Sequence, residues 1–288
     1  MDHKHDMQGI AVDGGGTRSR FALFGATARI VVQSGPANAY SDFDGTVRCL
    51  SAGLDSLSRE AGIPRAVLET LPAFFGLAGV VDSAIAERLQ ASLGLPHARY
   101  ADDRLPALRG ALGPGAGVIA HCGTGSFFGA QLDGATRLAG GWGVLLGDEA
   151  SAQWIGRKAL ALTLRRLDGF AAEGALVGAL VARFGSAAEI LRFAATATAH
   201  AFGDIAPLVT CHARQGDPAA IELLRSGAAY LSEGVDRMGW REGLPLYLTG
   251  GIGPAYLPYL PAPKQAAFRE PLGTPLDGAI ALARELAT

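Results

Sequence analysis

Two glycine-rich turns, each lying between apolar segments, are the first feature of the sequence that could do chemistry. They read Asp13-Gly14-Gly15-Gly16-Thr17 and Gly123-Thr124-Gly125-Ser126. Glycines after a strand let backbone N–H groups approach an anion closely, because no Cβ obstructs and positive φ is allowed. The hydroxyls of Thr17, Thr124 and Ser126 are suited to the same phosphate oxygens. Two such turns, about 109 residues apart, predict two phosphate-binding loops, although either turn alone could simply close a hairpin.

An acidic residue, Asp13, stands at the end of the first strand, directly before the first glycine turn. A carboxylate beside a phosphate repels it unless a divalent cation bridges the two groups. We therefore predict that Asp13 belongs to the shell of a magnesium ion.

Two further acidic pairs precede predicted helices, and each allows two interpretations. Asp102 and Asp103 could cap the following helix, or one of them could be a general base that takes a proton from a substrate hydroxyl. Asp148 and Glu149, in Gly147-Asp148-Glu149, could likewise cap a helix or contact a ligand.

The tryptophan Trp142 is surrounded by glycines in the sequence, with Gly140-Gly141 before it and Gly143 after it. Small neighbours support a core tryptophan poorly, which favours stacking on the face of a sugar. A surface or interface tryptophan is the alternative.

Composition excludes several classes of protein. The 288 residues carry a net charge of −2, so no overall positive field attracts nucleic acid or an anionic membrane. Three cysteines without a CxxC pair support neither a disulfide framework nor a zinc site. No lysine has the setting of a Walker-type phosphate loop, and a polar amino terminus without an apolar run favours the cytoplasm.

The order of apolar segments predicts an internal duplication. A strand, a glycine turn and a second strand occur at the start of the chain, and the same pattern restarts at Gly117. Helical spacing predicts a helix over Phe43 to Ala61 ended by Gly62, a mostly helical stretch from Glu149 to Met238, and a closing helix from Pro275.

With these motifs in order, the chain resembles the sugar-kinase, actin and heat-shock-protein superfamily, and within it the BadF/BadG/BcrA/BcrD ATPase group that includes amino-sugar kinases. The glycine turns resemble the two phosphate motifs, and Thr249-Gly250-Gly251-Ile252-Gly253 resembles the adenosine motif. The stretch Gly140-Gly141-Trp142-Gly143, followed by Gly147-Asp148-Glu149, is similar to a block of the amino-sugar kinases, and Gly35-Pro36-Ala37-Asn38 to their sugar-contacting loop.

The resemblance implies an α/β protein with two ribonuclease-H-like (actin-like ATPase) domains and an interdomain cleft. We expect the first domain at residues 1–113, completed by the helix at 275–288, and the second at 114–274 with a helical insertion.

The resemblance also implies the chemistry. The protein is expected to use ATP and Mg²⁺ to phosphorylate N-acetylglucosamine or glucosamine at the 6-hydroxyl, with Asp103, preferred to Asp102, as the catalytic base. Asp102 replaces a frequent asparagine of the relatives and could perturb that base by like-charge coupling. The residues implied to bind ATP are Gly14, Gly15, Gly16, Thr17, Gly123, Thr124, Gly125, Ser126, Gly250 and Gly251. Those implied to contact the sugar are Asn38, Asp103, Thr124, Gly141, Trp142, Asp148 and Glu149.

Two other functions remain open at this point: an ATPase that activates a radical dehydratase or reductase partner, and a non-catalytic sugar sensor. Neither nucleic acid nor a membrane is an expected partner, and a homodimer is left open. The identity of the sugar, N-acetylmuramate and plain hexoses included, is not determined by the sequence.

Overall fold

The computed structural model describes residues 7–170 and 172–286. These residues divide into two compact units, the first within Met1–Gly115 and Pro271–Thr288, the second formed by Ala116–Glu270. None of the helices in the described ranges combines the length and the apolarity that a membrane span needs.

The first unit contains a five-stranded sheet and the helices that cover it. Its strands are β1 (Met7–Gly14), β2 (Ser19–Gly25), β3 (Arg29–Ser34), β4 (Ala73–Leu77) and β5 (Ala98–Asp102). Its helices up to this point are α1 (Phe43–Ala61), α2 (Arg65–Leu68), α3 (Ser83–Leu93) and α4 (Arg104–Leu112). The strand order is β3-β2-β1-β4-β5, in which β1 to β3 are antiparallel and β4 and β5 run parallel to β1. This is the order of a ribonuclease-H-like sheet.

The second unit repeats the pattern with four strands. They are β6 (Gly117–Cys122), β7 (Ser126–Leu132), β8 (Ala135–Gly140) and β9 (Leu246–Thr249), in the order β8-β7-β6-β9 with β9 parallel to β6. Between β8 and β9 lie α5 (Gly143–Leu146), α6 (Ala152–Leu167), α7 (Ala175–Phe184), α8 (Ala187–Thr196), α9 (Ala199–Gly203), α10 (Ala206–Arg214) and α11 (Pro218–Arg237). A 3₁₀ helix (Gly253–Tyr259) and α12 (Ala262–Ala267) follow β9, and the chain then returns to the first unit as α13 (Pro275–Glu285).

The predicted α/β class with two ribonuclease-H-like units is therefore confirmed. The helix predicted over Phe43 to Ala61 is confirmed as well: Asp42 caps it through Gly45 N–H, and Gly62 ends it with a φ of 62°. The short elements α2, α5, α12 and the 3₁₀ helix differ from the prediction, because each holds too few residues to show a helical period.

Alternation along the strands divides the first unit into two layers. Ile10 and Val12 of β1 face a core formed with α1 and α3, whereas Ala11 faces a smaller core with α13. On the side of the sheet that α13 covers, α13 packs closely against α4. A Cβ on Gly278 of α13 would lie 2.0 Å from the carbonyl oxygen of Pro106 in α4, so the contact needs glycine.

Candidate active site

In the first unit the predicted site residues follow the carboxyl ends of neighbouring strands. Gly14 pairs with Leu77 and Leu77 with Asp102, so β1, β4 and β5 end at the same edge of the sheet. Asn38 lies there too, because it forms a parallel bridge with Ala78. The fold thus brings together the first glycine turn, Asn38 and the two acids at the junction of β5 and α4.

The first glycine turn is shaped partly by packing and partly left open. A Cβ on Gly14 would lie 2.5 Å from Cδ2 of the buried Leu77, so any larger residue here would have to displace that side chain. Gly15 N–H donates to the Arg18 carbonyl at 3.1 Å and closes the turn. Gly16 and Thr17 are exposed, and nothing lies within 4 Å of a Cβ placed on Gly16. The tip of the turn can therefore receive an anion.

Asp13, predicted as a magnesium-shell residue, has a partner that the sequence analysis missed. Its Oδ2 accepts hydrogen bonds from Nη2 of Arg20 at 2.6 Å and from Nε at 3.1 Å, because Asp13 and Arg20 are paired across β1 and β2. Among the described residues no group of three or more His, Cys, Asp or Glu side chains could by itself hold a metal ion. A single carboxylate nevertheless suits Mg²⁺, which protein sites bind through one or two carboxylates together with substrate phosphates and water.

The two acids before α4 have different environments. Asp102 accepts a hydrogen bond from Arg104 N–H at 2.9 Å and pairs with the Arg104 guanidinium at 2.5 Å, so the capping interpretation applies to Asp102. Asp103 makes no capping bond with its side chain. The pKa of Asp103 is raised to about 7, chiefly by burial and in addition by the charges of Asp102 and Asp13 and a hydrogen bond to Asp102, while the charge of Arg104 opposes the rise. Asp103 thus has the pKa of a general base that works near neutral pH.

Asn38 is held by its own turn. Its Oδ1 accepts hydrogen bonds from the N–H groups of Tyr40 and Ser41, each at 3.1 Å. A Cβ on Gly79, whose φ is 79°, would lie 2.3 Å from the same oxygen, so only glycine fits beside it. These contacts fix the orientation of the Asn38 side chain.

In the second unit, the second glycine turn differs from the first in its use of hydroxyls. Gly123 N–H donates to the Gly125 carbonyl at 2.9 Å, and Thr124 is exposed at the tip. Ser126 is buried, and its Oγ donates to the Glu149 carbonyl at 2.6 Å. The hydroxyl that the sequence suggested for a phosphate oxygen is therefore used inside the protein, since Ser126 points into the core from β7.

Neither Asp148 nor Glu149 caps α6, so the capping interpretation of these two acids is wrong. Ser151 is the N-cap, and its Oγ accepts from Trp154 N–H at 3.2 Å. Asp148, with a φ of 61° and 9% exposed, instead accepts backbone hydrogen bonds from Ser126 and Gly143. Burial raises its pKa despite these bonds.

Trp142 lies next to the segment Gly147–Ser151 and precedes α5. The residue is 68% exposed, and no residue of α5 is buried. Gly140, Gly141 and Gly143 all have positive φ, so the chain around the indole has a backbone that other residues rarely adopt. The structure thus leaves the indole face accessible, as both a sugar-stacking and a surface role require.

The predicted adenosine motif is attached to the second glycine turn. A Cβ on Gly250, whose φ is 81°, would lie 2.3 Å from the Cys122 carbonyl oxygen, and Ile252 N–H donates to that oxygen at 3.1 Å. Nothing lies within 4 Å of a Cβ on Gly251. Close packing thus explains the first glycine, and the second is open.

His121 joins the same two motifs and was not singled out from the sequence. Its Nδ1 lies 2.9 Å from Oγ1 of Thr249, its register partner on β9, and its ring stacks on Phe127 at 4.8 Å. Burial lowers the pKa of His121 to about 4, so the ring is neutral near pH 7. Only the parallel pairing of β6 and β9 makes this contact apparent.

Comparison with known families matches residues 10–256 to the model of the BadF/BadG/BcrA/BcrD ATPase family. The chain belongs to this family. Membership implies the use of ATP, in agreement with the glycine turns described above. The match includes both glycine turns, Asp103 and the adenosine motif.

The chain is similar to three proteins that are named as sugar kinases. A glucosamine kinase from Vibrio cholerae is 24% identical over 278 residues, which cover 95% of this chain and 95% of that kinase. An N-acetylmuramic acid/N-acetylglucosamine kinase from Clostridium acetobutylicum is 30% identical over 172 residues, 55% of this chain, so that the match spans only 54% of that relative. The crystal structure of a protein provisionally assigned as an N-acetylglucosamine kinase, from Chromobacterium violaceum, has a TM-score of 0.85 at 30% identity and covers 96% of this chain and 99% of that one.

Proposed function

We propose that this BadF/BadG/BcrA/BcrD family member is an ATP-dependent kinase that phosphorylates an amino sugar, N-acetylglucosamine or glucosamine, at its 6-hydroxyl. The observation that carries the proposal is the carboxyl of Asp103, whose pKa of about 7 suits a base that removes a proton from a hydroxyl. The names of the relatives support the same reaction.

In the proposed reaction the sugar oxygen attacks the γ-phosphorus of ATP in line. A new oxygen–phosphorus bond forms, the bond to the leaving ADP breaks, and the hydroxyl proton passes to Asp103. Magnesium bound to the phosphates of ATP would neutralise developing charge, and Asp13 is the carboxylate that we assign to its shell, through water. Backbone N–H groups at the exposed tips of the two glycine turns and the hydroxyls of Thr17 and Thr124 would hold phosphate oxygens.

On the sugar side, we assign Asn38, Gly141 and Trp142 to direct contact, the indole by stacking on the apolar face of the ring. Asp148 and Glu149 are assigned to the same subsite. Because Asp148 already accepts two backbone hydrogen bonds, its contribution includes holding the loop in place.

Activation of a radical dehydratase is not favoured. Such ATPases hold an iron–sulfur cluster through cysteine thiolates. Cys122 is fully buried, and burial raises the pKa of its thiol far above the ordinary value, so it is a core residue. The second alternative, a non-catalytic sugar sensor, would be eliminated by turnover of ATP that depends on sugar.

The first experiment measures ADP release by the purified protein with ATP and magnesium. The panel contains glucosamine, N-acetylglucosamine, N-acetylmuramate, glucose and no sugar. We expect one of the two amino sugars to stimulate turnover above the sugar-free rate and so to name the substrate. Turnover that does not depend on sugar, or silence across the panel, contradicts the proposal.

The role of Asp103 is tested by Asp103→Asn. Loss of a general base typically lowers the rate about 10²–10⁴-fold, and we expect phosphorylation to fall by that amount while the Kd values for ATP and sugar change little. The control is Asp82→Asn, because Asp82 caps α3 through Ile85 N–H and asparagine is an equally good cap. Near-normal turnover in Asp103→Asn would remove this residue from the base role.

A further inference from the structure

The segment Gly147–Ser151, called here the left-handed loop, contains two L-residues in a conformation that L-residues rarely adopt. Asp148 has a φ of 61° and Ala150 a φ of 63°. Such residues persist only where the surrounding structure holds them, and they concentrate at functional sites. The contacts that hold this loop therefore indicate which parts of the protein depend on its shape.

One set of contacts comes from the second glycine turn. The Ser126 hydroxyl donates to the Glu149 carbonyl at 2.6 Å, and Ala152 N–H donates to the Gly123 carbonyl at 2.9 Å. The carboxylate of Asp148 accepts from the N–H groups of Ser126 and Gly143, the second of which directly follows Trp142. The loop thus joins the phosphate-side turn to the segment that carries Trp142.

A second contact comes from the segment after the adenosine motif. Tyr256, in the 3₁₀ helix that begins two residues after Gly251, is fully buried, and its hydroxyl donates to the Ala150 carbonyl at 2.8 Å. The ring fits against α11 only because residue 227 is glycine: a Cβ there would lie 2.4 Å from the ring. The hydroxyl of Tyr256 therefore reaches one of the two left-handed residues from a rigidly packed ring.

We propose that Tyr256 is a positioning residue that couples the adenosine motif to the amino-sugar side of the site through the left-handed loop. The inference rests on the proposed function in its assignment of Trp142 and Asp148 to the sugar. When nucleotide orders Gly250 and Gly251, the adjoining 3₁₀ helix is held, Tyr256 holds the carbonyl of Ala150, and the loop holds Gly143 beside Trp142. Nucleotide binding then tightens sugar binding, and by linkage the reverse is also true.

The test is Tyr256→Phe, which removes one oxygen and keeps the packed ring. We measure the Kd of the stimulating amino sugar with and without a non-hydrolysable ATP analogue and magnesium. In the wild-type protein the analogue is expected to lower this Kd about fivefold or more, and in Tyr256→Phe less than about twofold. The KM for sugar at saturating ATP is expected to rise roughly fivefold, with a smaller change in kcat.

Tyr259→Phe is the matched control. Tyr259 lies in the same 3₁₀ helix, and among the described residues its hydroxyl makes no hydrogen bond to the left-handed loop. It should keep the wild-type coupling. Equal coupling in the wild type and Tyr256→Phe, or none in the wild type, overturns the proposal.

A measurement without sugar separates this inference from the proposed function. The ATP analogue alone should slow amide hydrogen exchange of residues 143–152 in the wild type and in Tyr259→Phe, but not in Tyr256→Phe. If that pattern is found and no sugar is phosphorylated, the positioning role stands and the kinase proposal fails. If the analogue protects this segment equally in all three proteins, the positioning role is overturned whatever the sugar assays show.

Discussion

At the scale of single residues, the proposed chemistry depends on how charges are balanced around Asp103. Burial is the main cause of its raised pKa, and the carboxylates of Asp102 and Asp13 add to it. Both neighbours are themselves paired with arginine, Asp102 with Arg104 and Asp13 with Arg20. These pairs let three carboxylates lie near one another at a tolerable electrostatic cost.

This balance predicts a pH dependence. With an Asp103 pKa of about 7, kcat/KM should rise with pH up to about 7 and then level off, because only the carboxylate accepts a proton. In Asp102→Asn one negative neighbour disappears and the Arg104 guanidinium is no longer neutralised by Asp102, and both changes lower the pKa of Asp103. The acid limb of the pH profile should therefore move to lower pH.

The control for this prediction is Asp55→Asn, which also removes a carboxylate paired with an arginine, Arg65 at 2.7 Å, in the same unit. It should leave the acid limb in place. An acid limb that stays unchanged in Asp102→Asn would show that Asp102 does not influence the ionising group.

At the scale of elements, both units use the same contact between a strand and a helix. Phe21 of β2 lies against Gly53 of α1, and Phe128 of β7 lies against Gly234 of α11. Each phenylalanine stands two residues after a buried serine, Ser19 or Ser126, at the start of its strand. The duplication predicted from the glycine turns thus extends to the way each second strand packs.

Alanine at either helix glycine should destabilise the protein. The new Cβ would lie 2.3 Å from the Phe21 ring at residue 53 and 2.2 Å from the Phe128 ring at residue 234. We expect overpacking to cost about 1–3 kcal/mol, which exceeds the helix-propensity gain of up to about 1 kcal/mol.

Gly178→Ala is the comparison, because nothing lies within 4 Å of its Cβ position in α7. It should raise the free energy of unfolding slightly. Thermal and urea unfolding of the three variants measure these signs, and stabilisation by Gly53→Ala and Gly234→Ala would contradict the packing argument.

At the scale of the whole molecule, the end of the chain completes the unit that the beginning of the chain starts. Leu276, Ala279 and Ala283 of α13 form a core with apolar residues of β1, β2 and β4. The crossing of α13 over α4 is close, since a Cβ on Gly110 would lie 2.2 Å from the Thr274 carbonyl oxygen. The first unit therefore depends on residues far away in the chain.

Truncation after Glu270 should unfold the first unit. Removal of α13 exposes the apolar face of the sheet that carries Ala11, Phe24 and Phe74, all buried in the full chain. Limited proteolysis followed by mass spectrometry should show rapid cleavage before residue 115, and kinase activity should be lost. A protease-resistant fragment over residues 7–115 would contradict this dependence.

Features that depend on short stretches of chain could be predicted from the amino-acid sequence. The strands around each glycine turn, the helix Phe43–Ala61 with its cap, and the repeated motif order follow from period-two and helical spacing and from turn residues, all readable within one or two dozen positions. The α/β class and the expected kinase reaction follow from the order of these motifs and from their resemblance to the motifs of the BadF/BadG/BcrA/BcrD ATPase group.

Strand register and helix packing determine side-chain contacts that the spacing of residues along the chain does not show. The pairing of Arg20 with Asp13, the contact of His121 with Thr249 and the hydrogen bond from Tyr256 to Ala150 depend on strand register and helix packing. The fold also determines that the Ser126 hydroxyl is used inside the protein, and that burial raises the pKa of Asp103. Spacing along a sequence cannot reveal these features, because burial and partner choice are set by residues that can lie far apart in the chain, 128 positions in the case of His121 and Thr249.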